Sequence, residues 1–197
     1  MVNAAIGPGG EIATLIVSGD DIGSSSVFET RVADRNPIGS YSVPTKSIQE
    51  LIHQYGIPHY LKIDIEGADR WCVLGLTNKT RPTFISFEMG EDAEELVNHA
   101  FDIGYSRFKI INQCTFLEIT NERRLYDRIV RQVIKLLGYD QPLKIRRGRR
   151  FFTVNHSSGP APWCSNGHWY TAKEAISIWC HAKESGKLTA WYDIHAS

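Results

Sequence analysis

No two of the four cysteines, Cys72, Cys114, Cys164 and Cys180, form a CxxC pair or join a close Cys/His cluster. That spacing excludes the usual zinc modules and gives no disulfide framework, so buried free thiols are expected. No run approaches the ~20 apolar residues of a membrane-spanning helix. The opening Met1-Val2-Asn3-Ala4-Ala5-Ile6-Gly7 lacks the basic and long apolar regions of a secretory signal. A cytoplasmic setting without membrane attachment is the resulting expectation. Net charge is also missing: 22 Lys+Arg balance 22 Asp+Glu, so no global field attracts nucleic acid. Repeats and low-complexity tracts are absent too.

What is present has the profile of one globular domain. The 197 residues are 42% hydrophobic and 22% charged, enough to bury a core. Val2 to Ile6 reads as a short strand, Gly7-Pro8-Gly9-Gly10 as a turn, and Ile12 to Val17 as its hairpin partner. Residues 18 to 40 are rich in Gly, Ser and Asp and read as a loop, with Ser24 and Ser25 as substrate-contact candidates. Ser47 followed by Ile48, Leu51 and Ile52 predicts an amphipathic helix ending near Gly56. Tyr60 to Ile65 predicts a strand and Ala68 to Leu76 a helix. Thr83 to Phe87 is the next strand, followed by a helix to about Phe101 and a strand from Phe108 to Gln113. This alternation predicts an α/β fold with a mostly parallel sheet covered on both faces in three layers.

Residues 121 to 150 break the rhythm. They hold ten Lys/Arg against three Asp/Glu and read as a basic helical insertion, with Tyr126 to Leu137 helical. A solvated face and a contact to phosphate or acidic substrate are both open readings, while nucleic-acid binding through Arg146 to Arg150 lacks any supporting motif. Phe151 to Val154 is expected to return to the sheet, and Ala172 to Lys183 to form the last helix.

The chemistry concentrates in Lys62-Ile63-Asp64-Ile65-Glu66-Gly67-Ala68-Asp69, where an apolar strand runs out into carboxylates and a glycine before a helix. Ligands of open α/β sheets bind at such strand ends. Alternation sets Lys62, Asp64 and Glu66 on one side and Ile63 and Ile65 on the other. Phe84-Ile85-Ser86-Phe87 likewise leads into Glu88. Carboxylates converging from two strands can take a proton from a hydroxyl, hold a divalent cation, or bind an ammonium. Stabilisation by the following helix ends is the alternative.

In this stretch the sequence resembles the FkbM-type methyltransferase family. Val2-Asn3-Ala4-Ala5-Ile6-Gly7, Gly23-Ser24-Ser25-Ser26, Val43-Pro44-Thr45, Pro82 to Glu88, Gly104-Tyr105, Phe108 to Gln113, Ser158-Gly159-Pro160 and Trp191 to Ala196 extend the likeness across nearly the whole chain. The resemblance implies a Rossmann-like methyltransferase fold that uses S-adenosylmethionine. The implied acceptor is a hydroxyl of a sugar, a polyketide or another natural product. It implies that Asp64, Glu66 and Glu88 line the reaction site, with Asn3, Ala4, Ala5 and Asp64 toward the cofactor. It also implies a catalytic His195 with Asp193 beside it, and substrate contacts at Ser158, Gly159 and Trp191. A Mg²⁺ held by Asp64 and Glu88 is an open variant.

The family's glycine-rich cofactor turn is expected before Val2, and Gly7-Pro8-Gly9-Gly10 does not replace it. The expectation is therefore an N-terminally truncated sheet with an unpaired edge, which self-association or a complementing N-terminal fragment would cover. The alternative function is an inactive remnant serving as a binding subunit.

Overall fold

The structure, a computed structural model, describes residues 2–20, 25–113, 116, 118–119, 129, 132–133, 136, 144–147, 149–153, 159–164, 167–185 and 191–197. These form two compact units, one of residues 1–83 with 102–104 and one of residues 84–101 with 105–197. Most of the expected basic insertion, and its helix over Tyr126 to Leu137, lies outside the described residues.

The first unit begins with β1 (Ala5–Ile6), β2 (Ile12–Ser18), α1 (Glu29–Val32) and β3 (Pro37–Lys46). The expected hairpin of β1 with β2 does not form. Instead β3 lies between them, parallel to β1 through Ala5–Thr45 and antiparallel to β2 from Ile12–Pro44 to Ser18–Pro37. The glycine-rich turn therefore crosses from one edge of β3 to the other. Thr45 fixes that crossing, since its Oγ1 donates to Glu11 O at 3.0 Å and accepts from Glu11 N at 3.2 Å. β3 occupies part of the expected loop because backbone pairing, not side-chain burial, holds it. It is exposed at its first six positions and carries Pro37, Gly39 and Pro44, all poor strand formers.

Helix α2 (Ile48–Tyr55) starts at a capping box: Glu50 N donates to Ser47 Oγ at 3.2 Å, and Ser47 N donates to Glu50 Oε2 at 2.7 Å. Two orphan amides are satisfied reciprocally, and Ile48 and Ile52 are buried. Gly56, at φ 84°, ends the helix in a conformation costly for other residues. β4 (Tyr60–Lys62) is only three residues long, and α3 (Asp69–Leu74) follows. Gln49 Nε2 ties α2 to the end of α3, donating to Gly75 O at 2.6 Å and Thr80 Oγ1 at 2.8 Å.

The second unit contains β5 (Phe84–Glu88), α4 (Ala93–Asp102), whose last residue falls to the first unit, and β6 (Phe108–Asn112). It continues with β7 (Lys144–Arg147), β8 (Arg150–Thr153), α5 (Ala172–Glu184) and β9 (Tyr192–Ala196). The strand–helix–strand alternation is present, but β5 and β6 are not hydrogen-bonded neighbours. β9 lies between them and is antiparallel to both. The two strands thus run in the same direction with a reversed strand inserted between them.

β9 is buried throughout, and its central row Phe87–Ile194–Ile110 is essentially solvent-free. Trp179 of α5 packs edge-on against Tyr192 at 5.9 Å. The Phe151 segment does not return to this sheet, because β8 pairs with β7 as a separate two-stranded ladder. Phe152 instead packs on Phe116 with ring centroids 5.6 Å apart.

Candidate active site

In the first unit the motif residues leave β4 after Lys62 and enter a tight turn. Glu66 adopts φ 47° and Gly67 φ 98°. A left-handed glutamate is uncommon and costs about 1–2 kcal/mol, so surrounding contacts must hold it. At Gly67 a Cβ would stand 3.2 Å from Arg31 Nε and 3.3 Å from Phe28 Cδ2. The positive φ favours glycine there, and an added Cβ would press on both side chains.

Asp64 is the open member, with 63% of its side chain exposed and Lys62 Nζ 3.5 Å from Oδ2. Glu66 is more enclosed and meets Arg35 Nη1 at 3.4 Å. Asp69 is buried, accepts from Gly67 N at 3.2 Å through Oδ2, and leaves Oδ1 without a hydrogen bond among the described residues. Burial raises its pKa above the ordinary carboxylate value and the Asp64 charge adds to this, against the lowering effect of nearby backbone amides. The neighbouring Cys72 thiol is pushed up to about 12, first by burial and then by Asp69. It is therefore an inert core thiol.

Asp69 gives a testable sign. With its folded pKa above the unfolded 3.8, the native state binds the extra proton between those values, so stability falls as pH rises through that window. Asp69→Asn is expected to remove this fall and to leave the chain at least as stable at pH 7. Urea unfolding from pH 3.5 to 7 measures it; an unchanged pH slope would show that the carboxyl is not responsible.

The second unit holds the other acids. Glu88 ends β5 in register with Asp193 of β9, and one pleat step away Ser86, His195 and Lys109 form a row across the three strands. His195 is 1% exposed and Lys109 is fully buried, with its Nζ 4.4 Å from the Trp169 ring centroid. Burial lowers the Lys109 pKa, while the Glu118 charge opposes that shift. The predicted acids thus fall into two groups: Asp64 and Glu66 in one unit, Glu88 with Asp193 and His195 in the other. Among the described residues, no three His, Cys, Asp or Glu side chains gather closely enough to hold a metal.

The remaining predicted positions scatter. Asn3 is exposed, Ala4 and Ala5 are half-buried, and Ala5 opens β1. Ser25 Oγ accepts from Ser18 N at 3.2 Å and so pins the end of β2, while Ser24 and Ser158 lie outside the described residues. Gly159, at φ 73°, packs on Phe116, and Trp191 is 63% exposed just before β9. Sequence reasoning missed Ser26, Phe28, Arg31 and Arg35. Ser26 lies in the Gly23-Ser24-Ser25-Ser26 stretch and Arg31 and Arg35 form an arginine pair in a Gly/Ser/Asp-rich segment, but neither feature points to Glu66.

The family model described as "Methyltransferase FkbM domain" matches residues 1–139. No curated protein and no solved structure matches the chain. No helix among the described residues is long and apolar enough to cross a membrane.

Proposed function

Because the chain belongs to the family of FkbM methyltransferase domains, we propose that it serves O-methylation of a hydroxylated small molecule, with S-adenosylmethionine as donor, on a Rossmann-like fold. Sugars, polyketides and related natural products are the acceptor class. The observation that carries the reading is the Asp64–Glu66 pair, one carboxylate open to solvent and one held in a strained turn between β4 and α3.

The donor set fits the cofactor's charge. Asp64 and Glu66 are acceptor-only groups, suited to a sulfonium and an ammonium. S-Adenosylmethionine, when bound, supplies an electrophilic methyl group. Asp64, with 63% of its side chain exposed, can receive the proton of an acceptor hydroxyl, a contribution of about 10²–10⁴-fold for a well-placed base. Glu66 adds a negative charge beside it.

Calorimetric titration of the 197-residue chain with S-adenosylhomocysteine tests the reading. Saturable heat in the micromolar range is expected. Absence of heat at millimolar ligand would overturn it and favour a binding subunit that has lost catalysis.

A further inference from the structure

One segment, residues 26–35, grips the Glu66–Gly67 turn. Ser26, 2% exposed, donates from Oγ to Glu66 O at 2.7 Å and accepts from Phe28 N at 3.1 Å. Arg35 Nη1 donates to Glu66 Oε2 at 3.4 Å. Between them, Phe28 and Arg31 crowd Gly67, and the Phe28 ring lies 5.1 Å from that of Trp71. The backbone carbonyl and the carboxylate of the same residue are therefore fixed by the same short stretch of chain.

The Arg35 and Glu66 side chains are 37% and 24% exposed, so their ion pair is solvated and adds little to stability. Together the contacts tie both the carbonyl and the carboxylate of Glu66 to residues 26–35, which favours one orientation of the carboxylate.

Resting on the methyl-transfer reading, we propose that Ser26 and Arg35 are positioning residues that hold the Glu66 carboxylate toward the reaction centre, where its charge favours the cationic methyl donor over the neutral product. Methyl transfer converts a sulfonium into a thioether, so a fixed carboxylate binds donor better than product. A wandering carboxylate loses that preference, because solvent screens it.

The readout is the ratio of dissociation constants for S-adenosylhomocysteine and S-adenosylmethionine, measured by calorimetry on the 197-residue chain. Glu66→Gln is expected to lower the ratio about tenfold, the scale of one charge contact in a partly solvated site. Arg35→Met lowers it toward the same value if Arg35 positions Glu66. If Arg35 merely offsets charge, the ratio rises instead; if it only supports the fold, both constants move together. Either of those results overturns the proposal.

Arg35→Lys should stay within about threefold of the parent. Ser26→Ala, which changes no charge, should lower the ratio on its own, and an unchanged ratio there also overturns the proposal. A parent chain that binds neither ligand removes the methyl-transfer reading itself and this assignment with it. Binding of both with unaltered ratios in the variants removes this assignment alone.

Discussion

Asp64→Asn is expected to leave the fold intact and to lower methyl transfer about 10²–10⁴-fold, the range for losing a placed general base. The fold should tolerate it because the side chain is 63% exposed, and its pairing with Lys62 at 3.5 Å is a solvated contact worth about 0–1 kcal/mol. The substitution keeps size and shape while removing the proton acceptor. Transfer of labelled methyl from S-adenosylmethionine to a panel of sugars and polyketide alcohols provides the measurement, with circular dichroism to check folding. Undiminished transfer by Asp64→Asn would assign the proton to another group. A loss accompanied by unfolding would show that Asp64 supports the turn rather than the reaction.

The largest effect on stability is expected at Ile194. It is fully buried in the middle of β9, flanked by Phe87 on β5 and Ile110 on β6, both essentially solvent-free. Ile194→Ala deletes buried methyl groups and leaves a void that rigid neighbours on two strands fill poorly, so about 2–5 kcal/mol should be lost. Ile194→Val should cost only about 0.5–1.5 kcal/mol. Urea unfolding of the three proteins gives the comparison. Near-equal midpoints would mean that the sheet closes around the vacancy more readily than its packing suggests.

Helices were the most legible part of the sequence, because their signals are local. The Ser47/Glu50 box opens α2 at Ile48, and α5 opens at Ala172, where the last helix is expected to begin. Strand identity was legible for β5 and β6, whose apolar runs fit residues buried within a sheet. Strand partners were not. The pairings of β3 with β1 and β2, and the insertion of β9 between β5 and β6, join residues far apart in sequence, and no local pattern encodes which edges meet.

The site divides in the same way. Asp64, Glu66 and Gly67 stood out because carboxylates and glycine at a strand exit are chemically unusual. Ser26 and Arg35 did not, since a serine and an arginine in a polar segment are ordinary until the fold brings them to Glu66. The positive φ of Glu66 was equally hidden, because a glutamate carries no compositional mark of a left-handed backbone.

The insertion of β9 also bears on how the molecule acquires its structure. Ile85 must find Ala196, 111 residues away in sequence, and Asn112 must find Tyr192, 80 residues away. Such distant contacts lower folding rates, since the entropy of closing the loop is lost before the contact contributes. Until that closure, β5 and β6 carry bare amides and carbonyls along the edges that β9 will occupy, and another chain in the same state can pair there. Yield on refolding should therefore depend steeply on protein concentration, with aggregation competing at the step that seats this one strand.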